Sequence, residues 1–482
     1  MSEHCGYVVK VEHLRPHSNA DRLQVATFFG NDTIVGLDVH IGTMGVYFPV
    51  DLQLSERFCA VNDLVRRKDE NGKQCGGYLD PDKRNIKAIK LRGEKSDGLF
   101  LPLTAFADFC TISDLKVGDT IEVLNGEEIC RKYIPHTNTF VRYHGAHAPR
   151  KVKVNIAPTF YEHVDTEQLA YNLDKFKVGD MVQLTLKMHG TSGRTGYLPL
   201  LHTKRTIFDK IFRRHGKDYY EYGYVTGTRR VVLDGERKGG FYESDDFRYA
   251  MAAKFEGKLR KGEVVYYEIV GFQGPEGAPI MSQVANSKVK DPEFTKQYGA
   301  TTTFSYGCNQ WAGYTENEYR EDDTCGRGER EGVCCEVYVY RMTMVNADGD
   351  VVEYSPDQIR ERCEQMGVKV VPEFCRFIIP YDEIDWHTDG NGNLYADAED
   401  YHIVDPGEYV LRKVEQYFDG PDPVGKTHVR EGVVARICNR TNFAVYKHKN
   451  FSFKVLEGIA KDEATAPDLE EAQEVIEDGL DS

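Results

Sequence analysis

Nowhere does this chain run apolar for the roughly 18 residues that a spanning helix needs, so the sequence excludes one. The opening Met1-Ser2-Glu3-His4-Cys5-Gly6 lacks the basic segment and apolar run of a secretory leader, and none is expected. Cysteine is sparse and irregular, 12 in 482 residues with no CxxC pair. That usage leads us to expect reduced thiols in a cytoplasm, or in a host cytoplasm if the chain is viral. Cys308, Cys325, Cys334 and Cys335 are the one group to weigh as zinc ligands, against a set of ordinary buried or loop thiols. Positive charge is also short. Lys and Arg number 61 against 77 Asp and Glu, a net charge of −16 that argues against a general affinity for polyanions.

The deficit is uneven. Residues 459–482 hold nine Asp and Glu against Lys461 alone, half of the net charge, with few apolar residues. An acidic, disordered tail is expected there. Basic stretches occur elsewhere: Lys83, Arg84, Lys87, Lys90, Arg92 and Lys95, and then Lys204, Arg205, Lys210, Arg213, Arg214 and Lys217. Each stretch is either a phosphate-neutralising patch or a solvated face.

What is present is a globular composition, 40% hydrophobic and 29% charged, in a chain long enough for two or three domains. From Tyr7 to Leu124 short apolar runs alternate with turn residues: Tyr7-Val8-Val9, Leu23-Gln24-Val25-Ala26, Gly45-Val46-Tyr47-Phe48, Ile86-Lys87-Ala88-Ile89 and Thr120-Ile121-Glu122-Val123. That spacing predicts a small β-barrel over residues 1–130. A His-, Arg-, Pro- and Ala-rich connector follows over 131–160. Strand runs resume at Met181-Val182-Gln183-Leu184-Thr185-Leu186 and continue, mixed with helical stretches, through a second domain at 161–458.

Three segments of that second domain carry chemistry. In Leu186-Lys187-Met188-His189-Gly190-Thr191 a strand delivers a lysine to a Gly-containing turn, where a phosphate-bearing ligand can approach the backbone. A lysine nucleophile attacks as the neutral amine, a form favoured by desolvation or nearby positive charge. In Val264-Val265-Tyr266-Tyr267-Glu268-Ile269-Val270-Gly271 a carboxylate interrupts a strand apolar on both faces. Such a group costs several kcal/mol unless it is paired or binds something. The third segment reads as a β-hairpin, Glu431 to Ile437 and then Phe443 to Phe453. Alternation places Lys447 and Lys449 with Phe443, Val445 and Phe451, on what the pattern reads as the apolar face. Two ammonium groups about 7 Å apart on one face ask for an anion between them. Glu431 shares its face with Val433, Ala435 and Ile437 in the same reading.

As a set these residues resemble the covalent nucleotidyltransferase superfamily of ligases and capping enzymes. Lys187-Met188-His189-Gly190 is similar to its nucleophile motif, in the His-bearing form of the nick-sealing and RNA-editing RNA ligases. Tyr267-Glu268-Ile269-Val270-Gly271 is similar to the strand whose Glu holds the ribose. Glu431-Gly432-Val433-Val434 resembles the metal-serving strand, and Val445-Tyr446-Lys447-His448-Lys449 the strand whose lysines contact the α-phosphate. Gly227-Thr228-Arg229 and Val337-Tyr338-Val339-Tyr340 sit where the family places a phosphate-reading arginine and an adenine-stacking aromatic, which selects Arg229 and Tyr340. At the N-terminus, Pro16 to Leu23, Tyr47-Phe48-Pro49-Val50 and Lys90-Leu91-Arg92-Gly93 through Gly98-Leu99 resemble an OB-fold, a domain that precedes the transferase in Naegleria-type and Deinococcus-type RNA ligases, while Asn19-Ala20-Asp21-Arg22-Leu23 is similar also to tRNA-binding OB modules.

The resemblance implies an α+β protein, an OB-fold barrel followed by a nucleotidyltransferase domain of antiparallel sheets with flanking helices. It implies Lys187 as the residue charged with AMP, His189, Arg229, Glu268, Tyr340, Lys447 and Lys449 about the nucleotide, and Glu431 at the metal. Its cofactors would be ATP with Mg²⁺ or Mn²⁺, and its partner a duplex or structured RNA with 5′-phosphate and 3′-hydroxyl ends. His189 stands where most of the superfamily has Asp, so no carboxylate serves a metal at that position. DNA ligases and capping enzymes continue past the paired lysines into a further barrel, whereas here only about 30 residues follow Lys449, too few for a five-stranded barrel. A noncatalytic RNA-binding protein is the remaining alternative, and retention of the charged motif residues weighs against it.

Overall fold

The computed structural model describes residues 4–134, 157–164, 166–207, 212, 216–233, 242, 244–316, 331–346, 348–389 and 391–462. The chain divides into two compact units. The larger draws its described residues from 137–283 and 301–449, the smaller from 1–136, 284–300 and 450–467.

In the larger unit the main strands are β1 (Met181–Lys187), β2 (Thr191–Lys204), β3 (Lys217–Gly227), β4 (Glu263–Gly271), β5 (Cys335–Val345), β6 (Glu373–Ile378), β7 (Gly432–Ile437) and β8 (Ala444–Lys449). Its helices are α1 (Asp246–Ala253), α2 (Pro356–Met366) and α3 (Pro406–Glu415). One sheet runs β8-β7-β1-β6, all antiparallel, with Glu167–Gln168 added parallel to β8. The other runs β3-β2-β4-β5, also antiparallel, with short strands at both edges. The fold is thus mixed α+β, rich in sheet and poor in helix.

The first sheet packs one face against α3, and the second is buried on both faces. Val182 and Leu184 of β1 alternate with polar residues and pack with Val433, Ala435, Ile437, Tyr446 and the α3 residues Tyr409, Val410 and Val414. The second sheet turns Val265, Tyr267, Ile269, Val337 and Val339 onto Phe247 and Met251 of α1 and Ile359, Cys363 and Met366 of α2. Helix α2 starts and stops by local chemistry. Ser355 and Gln358 form a reciprocal capping box, Pro356 opens the first turn, and Gly367 closes it in the left-handed region at φ 67. Beneath that sheet Arg362 holds fully buried Glu263 through bonds of 2.9 and 2.8 Å. Burial pushes the Glu263 carboxyl up, but Arg362, the Arg260 amide and Tyr354 outweigh it and hold it below its ordinary range.

The smaller unit combines short strands with short helices, Glu56–Val61 and Pro292–Tyr298 among them. Leu99–Pro102, Met44–Phe48, Gly6–Lys10 and Thr120–Ile121 form a four-stranded sheet in that order, and Leu14–Pro16, Leu23–Phe28 and Asn31–Gly36 a three-stranded one. Val8, Val46, Phe48, Leu52, Phe58, Phe106 and Ile121 fill the core. The unit also takes in helix α4 (Phe451–Asp462), which the sequence reading had split between second domain and tail. Asn450 caps α4 by accepting from Ser452 N–H at 2.7 Å, and Phe453 and Leu456 are buried. Lys454 and Lys461 pair with Asp97 and Asp51 at 2.5 and 3.1 Å. Residues 459–462 are therefore helix rather than tail, because an apolar stripe and a buried lysine give them something to lose. The remainder of the expected tail lies outside the described residues.

Two further expectations change. Of the proposed connector, 135–156 lies outside the described residues, and Ala157 and Phe160 are buried core of the larger unit. In the first basic stretch, Lys90 is bound to Asp291 at 2.7 Å, Arg84 donates to the Leu54 carbonyl at 3.2 Å, and Lys95 lies over the Phe451 ring. Part of that charge serves the fold. In the second stretch, Lys210, Arg213 and Arg214 lie outside the described residues.

Candidate active site

The chain passes from one sheet of the larger unit to the other in three residues, Met188-His189-Gly190, between the end of β1 and the start of β2. Lys187 closes β1 opposite Gly432, and β8 brings Lys449 opposite that same glycine. Glu431, one residue before β7, is 2% exposed and meets both amines: its Oε1 lies 2.7 Å from Lys187 Nζ and 3.7 Å from Lys449 Nζ. Its Oε2 lies 3.8 Å from His189 Nδ1 and has no hydrogen-bond partner among the described residues. A buried carboxylate oxygen without a donor is costly, and such a group invites a cation. The structure therefore brings Lys187, His189, Glu431 and Lys449 together.

Lys447 lies on the same face of β8 as Lys449, as alternation requires, but that face is not the apolar one. Val433, Ala435 and Ile437 pair across with His448, Tyr446 and Ala444, and these are the residues on the α3 side. The lysines occupy the opposite face, with Val434. The sequence expectation is corrected here, and for a physical reason. Half-buried Phe443 and Val445 made the odd residues look like core, whereas the core side is set by the neighbouring strand and α3.

Glu268 accepts the Gly190 N–H at 3.1 Å and the Ser192 hydroxyl at 3.5 Å, so the carboxylate in β4 fastens the turn that follows Lys187. Its cross-strand neighbours are Ser192 on β2 and Tyr338 on β5. Tyr340 lies at the register shift in the β4–β5 pairing, between Val339 and Arg341, and packs its ring 5.0 Å from His163. Arg229 gathers at the same histidine, its carbonyl accepting the His163 N–H at 3.3 Å. Burial, then the charges of Arg341, Arg229 and Arg194, hold His163 well below its usual range, so its ring is neutral. Arg229 and Tyr340 thus form a second group about His163.

Three residues that sequence reasoning passed over set the geometry. Buried Tyr306 accepts the His189 N–H at 2.6 Å on its phenolic oxygen. Burial, then the negative charges of Asp422 and Glu431, keep that phenol far above its usual range and protonated. Buried Arg248 donates to the Ser192 carbonyl at 3.0 Å and the Thr191 hydroxyl at 2.6 Å. Arg194, 1% exposed, donates to the carbonyls of Thr228, Phe160 and Arg230 at 2.8–2.9 Å, shaping the turn that carries Arg229. A single buried polar residue, whether in a helix (Arg248), a strand (Arg194) or a loop (Tyr306), leaves no periodic signal. Only the cost of burying an arginine hints that each has partners.

Among the described residues no three His, Cys, Asp or Glu side chains converge to hold a metal. Cys325 lies outside them; Cys334 and Cys335 are buried, and burial pushes the Cys308 thiol up to about 12. A divalent cation at Glu431 would take most of its oxygens from ligand and water, the habit of Mg²⁺.

A strand-end lysine thus lies salt-bridged to a buried glutamate at a turn between two antiparallel sheets, and the fold that carries the pair is one found in solved RNA ligase structures. The chain is similar to a mutant of the Naegleria gruberi RNA ligase with AMP and Mn, over 94% of this chain and 98% of that one, at a TM-score of 0.51 and 14% identity. It is similar also to an apo mutant of that ligase, with the same coverage, a TM-score of 0.51 and 15% identity. A further mutant with AMP and Mn matches over 93% of this chain and 97% of that one, at 0.50 and 15%. No family model and no curated protein matches the chain.

Proposed function

We propose that the protein is an ATP-dependent RNA ligase that works through a lysyl-AMP on Lys187. The observation that carries this reading is the convergence of Lys187, Lys449 and His189 on one buried carboxylate, Glu431. In the first step the neutral Lys187 amine attacks the α-phosphorus of ATP. An N–P bond forms, the bond to the bridging oxygen breaks, and pyrophosphate leaves with its electron pair while the amine proton passes to solvent. Glu431 pairs with Lys187 and stands between it and Lys449. A divalent cation held by Glu431 would supply positive charge beside the phosphoryl oxygens and weaken the carboxylate's hold on Lys187. Lys447 and Lys449 present fixed charge where the α-phosphate would lie.

In the second step an RNA 5′-phosphate oxygen displaces the lysine from phosphorus, giving an adenylylated end. In the third a 3′-hydroxyl attacks that phosphate and AMP departs. Glu268, by fixing Gly190, is read as the group that meets the ribose, and Arg229 and Tyr340 as phosphate and adenine contacts. The short-stranded N-terminal barrel is read as an OB-type domain that tracks the RNA backbone. Intact mass after incubation with each nucleoside triphosphate and Mg²⁺ tests the first step. A gain of one AMP with ATP alone supports the reading, a GMP adduct redirects it to a capping-type enzyme, and no adduct from a folded protein refutes catalysis.

A further inference from the structure

Residues 381–389 and 391–403 leave the core between buried Ile379 and Val404 as a narrow antiparallel ribbon. Asp382–Ile384 pairs with Tyr401–Ile403, and His387–Thr388 with Leu394–Tyr395. Two features of the ribbon conflict. Its large apolar side chains are in water: Tyr381 is 64% exposed, Trp386 57%, Leu394 65%, Tyr401 52% and Ile403 78%. Its charge is all of one sign, with seven Asp and Glu and no Lys or Arg in the 23 residues. Local pairs hold its shape, His387 to Asp400 at 2.9 Å, His402 to Asp385 at 3.1 Å, and Arg412 of α3 to Glu383. Asp382, Asp397 and Glu399 remain exposed. An exposed apolar ribbon is a liability that a chain keeps when something covers it.

We propose that this ribbon is a docking arm for a Lys- and Arg-rich segment of another protein. Aromatic faces accept guanidinium and ammonium groups, and carboxylates between them complete the match and steer a basic partner inward. RNA fits less well. Its bases would stack on the same rings, but every phosphate would arrive among carboxylates with no cation to receive it. A second copy fits less well too, since a two-fold contact would oppose one acidic arm to another in a chain of net charge −16. The proposal is independent of the ligase reading.

The chain carries its own reporter, because its two tryptophans are Trp386 on the arm and Trp311 elsewhere. In full-length protein with Trp311→Phe, Trp386 emission is titrated at low salt with a synthetic peptide of alternating Arg and Gly, and separately with an oligouridylate. The peptide is expected to shift the emission saturably. Neutralising Asp382, Asp397 and Glu399 (to Asn, Asn and Gln) should weaken it at least about tenfold, while neutralising exposed Asp108, Asp114 and Glu122 of the smaller unit should weaken it less than about threefold. Equal weakening by both sets, or no response to peptide, overturns the proposal as nonspecific charge. A response to the oligouridylate alone replaces the arm by a base-stacking platform. Arm-dependent self-association in sedimentation, without peptide binding, assigns the surface to a second copy and likewise overturns it.

Discussion

Two segments leave the same sheet of the larger unit, and they are held in opposite ways. The turn after β1 is gripped by distant groups: Tyr306 on His189, Glu268 on Gly190, and Arg248 on Thr191 and Ser192. The ribbon after β6 is held by its own ladder and by exposed pairs. The difference separates positioning from recognition. On the proposed reading Lys187 must be held closely against a phosphorus atom, and buried polar groups fix the three-residue turn beside it. Where a flexible partner is to be caught, exposed rings and charge suffice, and small displacements cost little.

The largest effect should come from breaking the frame beneath β4. Arg362→Met leaves Glu263 buried without its partner, and urea denaturation should record a loss of about 3–5 kcal/mol. Replacing both members by apolar residues should cost much less. Equal losses for the single and double variants would show that packing, and not the stranded charge, dominates there.

Next comes the turn itself. Tyr306→Phe removes the acceptor for the His189 N–H while keeping the ring, and should slow formation of the lysyl-AMP on the order of tenfold, or about 1.4 kcal/mol, with far less change in stability. Single-turnover adenylylation beside a melting curve separates the two. A wild-type rate would show that the turn is fixed without Tyr306.

That contrast also marks how far the sequence could be read. The hairpin of β7 and β8 and the shared face of Lys447 and Lys449 were legible because strand alternation is a local signal. The side of the hairpin that faces the core was not, since Val445 and Phe443 look equally apolar and the choice rests with α3 and β1, distant in sequence. Tyr306, Arg248 and Arg194 were invisible for the same reason, as their partners are backbone atoms of remote segments. The division into units was half legible. Residues 284–300 and α4 pack with the smaller unit, and no composition shift announces either return.

At the arm the comparison predicts near silence. Replacing residues 385–400 by a two-residue turn should leave lysyl-AMP formation within about twofold, since the changes lie on the surface and away from the turn. A larger fall would tie the ribbon to the transferase and blur the distinction drawn above. The smallest effect concerns pH. The hydrogen bond to Asp400, then its charge, raises His387 above its ordinary range. The pair should therefore hold the arm below the unfolded histidine value and weaken as pH rises through the raised folded one. An NMR titration of His387 checks the sign, and a midpoint at or below that of a free histidine would remove the pair from the account.

The most direct test of the central claim is the intact mass of wild type and Lys187→Ala after incubation with ATP and Mg²⁺. The account predicts one added AMP on the wild type, none with the other nucleotides, and none on the variant, which should still join RNA already bearing a 5′-adenylate. An AMP adduct persisting on Lys187→Ala, or none on the folded wild type, would contradict it.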